Sequence, residues 1–176
     1  MQLIEIGVRA ALGAVFAIAA GSKLRSRAAF DEFIDTLPEI GPLRGERLTV
    51  VGAAVVALEL AAPVLLVVHP RAGLALVLGL VGAFTTAMVV SLRRGAPLTC
   101  RCFGASAQPI GAGHVVRNAL LLAATALATA AAWLGERGAP SADLAEVAIA
   151  AALGAIAGVL ITRWDDLVFV YREAGA

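Results

Sequence analysis

Charge and cysteine are both scarce in this chain of 176 residues, and each shortage removes a class of protein. Charged residues make up 15% of it against 60% hydrophobic, a balance foreign to water-soluble domains. A formal net charge of +1 is no strongly basic balance that would argue for nucleic acid. Two cysteines cannot build a disulfide framework. Cys100, Cys102, His69 and His114 are the whole supply of Cys and His, with His69 far off in sequence. A structural zinc site wants about four such ligands, so no metal is expected.

What the chain has instead is hydrocarbon. Mean hydropathy is +0.89, and the apolar residues fall in blocks of the length a helix needs to cross about 30 Å of lipid. The blocks predict transmembrane helices over about residues 3–20, 48–68, 72–92, 114–134 and 143–162. The expected fold is all-α, a polytopic transmembrane helical bundle forming one integral membrane domain over residues 1–176. Lys23, Arg25 and Arg27 follow the first block rather than precede it, so that block reads as a retained anchor, not a cleaved signal. Between the first two blocks, Phe30, Phe33, Ile34 and Leu37 recur at helical spacing among Asp31, Glu32 and Asp35. They predict a short amphipathic helix that lies in the membrane interface or caps the bundle.

Polar residues inside the blocks stand out. Glu59 sits in the second block, four residues before Pro63. A carboxylate at that depth costs about 2.5–3.5 kcal/mol on insertion scales, so it needs a partner or a task. Pro63 has no N–H for the carbonyl of residue 59, and a kink is expected there. Arg9 is the partner considered first, although Glu5, four residues before it, can also pair with Arg9 on one helix face. Gly154 and Gly158 in the last block are spaced for tight helix packing within or between chains, and a homo-oligomer through them is one expectation.

The segment Cys100-Arg101-Cys102-Phe103-Gly104 carries the most chemistry. One residue separates the only two cysteines. A disulfide closing so small a ring is strained and easily exchanged, and it gains little as a staple. Arg101 between the sulfurs, and Arg117 beyond them, favour the thiolate that acts as nucleophile. His114 at the start of the next helix is positioned in sequence to help as a base. Cys100 and Cys102 are therefore the expected redox pair. Arg101, Arg117, His114, Glu59, Arg9 and Lys23 are the candidate supporting residues.

With five crossings, eleven Lys and Arg fall on one side and Arg9, Arg71 and Arg137 on the other. The positive-inside rule then puts the N-terminus outside and the Cys pair toward the cytoplasm of an inner membrane.

Gly21-Ser22-Lys23, Glu59 in an apolar helix, Cys100 to Gly104, and Arg117-Asn118 together resemble the MauE branch of the MauE/DoxX family of redox-associated membrane proteins. The likeness covers about residues 4–133, and the Cys-X-Cys-Phe-Gly pattern is its most specific part. The resemblance implies a DoxX-like four-helix core, here with a fifth C-terminal helix, working beside a thioredoxin-like partner. It also implies a link to methylamine utilisation, where such proteins support maturation of a disulfide-rich periplasmic subunit. Cys100 and Cys102 would be its redox pair, with Lys23, Glu59 and Arg117 at recurring polar positions. The function expected is membrane thiol–disulfide exchange with no resident cofactor. The alternatives are exchange with a quinone, as in DsbB- or VKOR-like enzymes, a metal or small-solute carrier, and a scaffold for a thioredoxin-fold protein with idle cysteines.

Overall fold

The computed structural model describes residues 2–37, 45–94, 112–134 and 143–163. These form α1 (Gln2–Leu24), α2 (Arg27–Ile34), α3 (Glu46–Val68), α4 (Pro70–Arg94), α5 (Ala112–Leu134) and α6 (Leu144–Thr162). No strand occurs among the described residues. All but α2 are long and apolar enough to cross a membrane, in agreement with the five predicted spans.

Helices α1, α3, α4 and α5 make a four-helix core, and α6 lies outside it against α1. The buried stripe of α4 runs Leu74, Val77, Val81, Met88 and Ser91, and that of α5 runs Asn118, Leu121, Thr125 and Ala128. Those spacings alternate three and four residues wherever the stripe is continuous, as in a coiled-coil seam. Two cross-contacts show that α4 and α5 are antiparallel. Arg71 Nε donates to the carbonyl of Ala132, and Asn118 Nδ2 donates to Met88 Sδ at 3.3 Å. Arg71 thereby caps one of the last carbonyls of α5, which have no partner within their own helix.

The α3–α4 junction is a tight hairpin. A Cβ on Gly73 would fall 2.5 Å from the backbone nitrogen of Leu66, so only glycine lets the two helices meet there. Pro70 opens α4 and has no N–H to offer the carbonyl of Leu66. Arg9 Nε takes that carbonyl at 3.0 Å, which pins the start of α1 to the end of α3.

Helix α6 runs parallel to α1. Gly154 packs on Gly7, and Gly158 on Ala11 and Ala14, so contacts advance in the same direction along both helices. A Cβ on Gly154 would lie 2.8 Å from the Gly7 Cα. The small residues thus bring two backbones together within one chain, as small-xxx-small surfaces do. That corrects the expected homo-oligomer through Gly154 and Gly158: α1 of the same chain already covers both.

Helix α2 folds back onto α3. Ser26 N-caps it by accepting a hydrogen bond from the Ala29 N–H at 3.1 Å. Phe33 and Leu37 pack with Val56, with Phe30, Ile34, Leu48, Val51 and Val55 around them. The Ile34 side chain fills the notch above Gly52. The packing agrees with a short amphipathic helix that covers part of the bundle.

Candidate functional site

The deepest polar feature is an ion pair. Lys23 Nζ lies 2.9 Å from Glu59 Oε1 and 3.0 Å from Oε2, and the two side chains are 2% and 0% exposed. The ammonium also donates to the Ala19 carbonyl at 3.3 Å and sits 5.0 Å from the centre of the Phe33 ring. Helix geometry explains the meeting. Side chains lean toward the N-terminus of their own helix. In antiparallel α1 and α3, Lys23 therefore leans into the bundle, while Glu59 leans toward the end where α1 stops.

This corrects two expectations. Glu59 is paired with Lys23, not Arg9. Arg9 is committed to Glu5, at 3.4 Å, and to the Leu66 carbonyl, about 10 Å farther along α3 at 1.5 Å per residue. And Lys23 is not a loop residue: α1 continues past Ala20 to Leu24, which takes Lys23 into the core.

Helix α2 roofs the pair. Phe33 covers the ammonium with the negative face of its ring, a contact worth about 2 kcal/mol when desolvated, as Lys23 is here. Phe33→Leu keeps the apolar bulk and removes the ring. It is expected to lower stability by about that amount, read by denaturant titration in detergent micelles.

A second group of buried polar residues lies between α4 and α5. Ser91 and Asn118 are 1% and 0% exposed, and Arg117 is 6% exposed. Ser91 Oγ and Asn118 Oδ1 have no hydrogen-bond partner among the described residues. Thr125 closes the series deeper in α5, bonding back to the Leu121 carbonyl. The ends of α1 and α4 and the starts of α3 and α5 share one end of the bundle. Lys23, Ser91, Arg117 and Asn118 all belong to it. Leu12, Phe16, Leu66, Leu74 and Val77 make the rest of the interior apolar.

Cys100, Arg101 and Cys102 lie outside the described residues, in the segment between α4 and α5. His114 falls within α5, and its side chain also lies outside what is described. So the structure brings Lys23 and Glu59 together, places Arg117 in the interior and sets Arg9 apart. Ser91, Met88 and Phe33 were not among the sequence candidates. The seam spacing of α4, continued from Leu74 to Ser91, is the signal that marks Met88 and Ser91 as inward-facing.

A model of the family described as methylamine utilisation protein MauE matches residues 1–134. The chain belongs to the MauE family. MauE is a membrane protein family linked to methylamine utilisation, in keeping with the five spans. The match to MauE ends at the last residue of α5, so it takes in the four-helix core and α2 and leaves out α6. No curated protein and no solved structure matches the chain.

Proposed function

We propose that this protein carries out thiol–disulfide exchange at the membrane through Cys100 and Cys102, with a thioredoxin-like protein as its partner. The observation that carries this reading is the pair itself: the only two cysteines, one residue apart, with Arg101 between them. Buried Arg117 and Asn118 lie in the second turn of the helix that follows, which supports the same reading.

The exchange balances as follows. A thiolate of the pair attacks the disulfide of the partner, whose S–S bond breaks as a mixed disulfide forms. The neighbouring thiolate attacks that mixed disulfide and releases the partner as a dithiol. Two electrons pass to the partner, and this chain is left with a Cys100–Cys102 disulfide. Two thiol protons leave this chain and two are taken up by the partner. Run backwards, the same steps reduce Cys100–Cys102 and oxidise the partner. The product served would be an extracytoplasmic protein whose disulfides must be made or corrected.

Sidedness belongs to the same proposal. Lys23 and Arg117 are buried, so they do not act as surface charges in the topology count. Among the described residues, Arg25, Arg27, Arg47, Arg93 and Arg163 stand at the end where α1, α4 and α6 stop, against Arg9 and Arg71 at the other. The rule still puts the Cys segment toward the cytoplasm. A thiol carrier that serves an extracytoplasmic substrate would then take electrons on one face and deliver them to the other.

Single Cys100→Ser and Cys102→Ser variants are expected to trap a covalent complex with a thioredoxin-fold protein in a host that makes one. The complex should be reducible and visible on non-reducing gels. If neither variant traps it, the carrier reading is wrong. Full function in the double Cys→Ser variant would point to a scaffold instead.

A further inference from the structure

We propose that the cavity at the elbow between α1 and α2 binds the headgroup of one phospholipid, of the zwitterionic kind that pairs a phosphate with a primary amine. This goes beyond the redox reading and does not rest on it.

The cavity has a volume of about 440 Å³ and is lined by Lys23, Leu24, Ser26, Arg27, Phe30 and Asp31. Helix periodicity explains its α2 wall. Arg27, Phe30 and Asp31 stand at i, i+3 and i+4 and so share one face of α2. Ala29 and Phe33, on another face, are the buried residues of that helix. Leu24 is the last residue of α1, a helix long enough to span a membrane, and it is 52% exposed. The cavity therefore lies at the level where hydrocarbon gives way to headgroups. Ser26, Arg27 and Asp31 are exposed too, so its outer side is open.

The chemistry of the lining selects the occupant. Arg27 and Asp31 have the spacing at which opposite charges on a helix can pair, with the base first, which is the weaker order. Neither side chain makes a hydrogen bond or ion pair among the described residues. Both line the cavity instead. A cation and an anion whose Cβ atoms stand about 5–6 Å apart suit a ligand that carries both signs close together. A guanidinium takes a phosphate through paired N–H donors, and a primary ammonium donates to a carboxylate. The two-carbon link of phosphoethanolamine sets those groups within one such reach. A phosphate with no amine would bring its charge against Asp31 uncompensated, and a choline has no N–H to give. Leu24 and Phe30 offer apolar surface to the glycerol and the first acyl carbons, which favours the whole lipid over a free headgroup. Lys23 closes the inner side with its ammonium held by Glu59, so Arg27 supplies the cation.

Native mass spectrometry tests this on the full chain, released from micelles holding equal mole fractions of phosphatidylethanolamine, phosphatidylglycerol and phosphatidylcholine. The parent should retain phosphatidylethanolamine about threefold over either of the others, the ratio that one exposed ion pair brings. Arg27→Gln should lower that retention by about the same factor. Asp31→Asn should erase the preference over phosphatidylglycerol. Arg25→Gln removes an exposed cation that does not line the cavity and should change nothing. All three positions are exposed, so the fold is kept, with an elution profile in detergent like the parent's as the check. Equal retention of the three lipids by the parent overturns the proposal. So does a loss in Arg25→Gln as large as in Arg27→Gln, because net charge and not the cavity would then be the cause. Soluble glycerophosphoethanolamine should bind at least about tenfold more weakly than the lipid, the worth of about two buried methylenes. Equal binding of the two would overturn the assignment to a lipid.

Discussion

Glu59→Ala is expected to destabilise the protein by about 3–5 kcal/mol, the loss seen when one partner of a buried ion pair is removed and the other is left uncompensated. The Lys23 ammonium would remain buried, at 2% exposure, without the Glu59 carboxylate that lies 2.9 Å from it. Lys23→Ala should cost a similar amount, since an isolated carboxylate is left in its place. The double variant Lys23→Met with Glu59→Leu separates architecture from activity. Burying two charges is expensive to begin with, so a well-packed apolar pair of similar volume should restore stability to within about 1 kcal/mol of the parent, or exceed it. Denaturant titration in micelles gives the stability. If the double variant is stable and inactive, the pair serves function; if it is stable and active, the pair serves only to lock α1 to α3. A single Glu59→Ala protein as stable as the parent would contradict the ion pair as described.

Gly154→Val should detach α6 from α1. Even the first carbon of a side chain there would collide with the Gly7 backbone, which cannot move as the tip of a flexible side chain can. Valine adds two more carbons, and overpacking of this kind costs about 1–3 kcal/mol or more. Gly158→Val should act in the same direction but less severely, because part of its contact is with the Ala14 side chain at 3.0 Å. The core of α1, α3, α4 and α5 is joined through other residues, among them Arg9, Lys23 and Glu59. The expected outcome is therefore local. Protease cutting between α5 and α6 should accelerate while the Lys23–Glu59 core resists denaturant as before. Loss of the whole fold would show that α6 is integral to the core.

The sequence read most clearly where one physical rule dominates. Hydrocarbon thickness decides the length of a span, so five apolar blocks become five crossing helices with ends moved by a few residues. The stripe through Phe30, Phe33, Ile34 and Leu37 marks α2 for the same kind of reason. Glu59 was legible as a residue in need of a partner, but not which partner. Arg9 is the nearer cation by charge pattern, yet it stands about two turns away along α3, beside Leu66. Lys23 stands among the candidates, but its pairing with Glu59 is hidden because the apolar block ends at Ala20 and a lysine after it reads as a loop charge. Only tertiary packing shows that α1 runs on for another turn and that an acid waits inside. Of the proposed redox site, Arg117 is placed by the structure, whereas Cys100, Arg101 and Cys102 lie outside the described residues, and their assignment still rests on spacing and chemistry.

The parallel seat of α6 has a consequence for biogenesis. The flank of α1 around Gly7 and Ala11 is made well before its cover. Until α6 follows, that narrow, small-residue strip stands against lipid acyl chains, and α6 has to displace them to arrive. Docking of α6 is therefore separated from insertion of α1 by the synthesis of every helix between them.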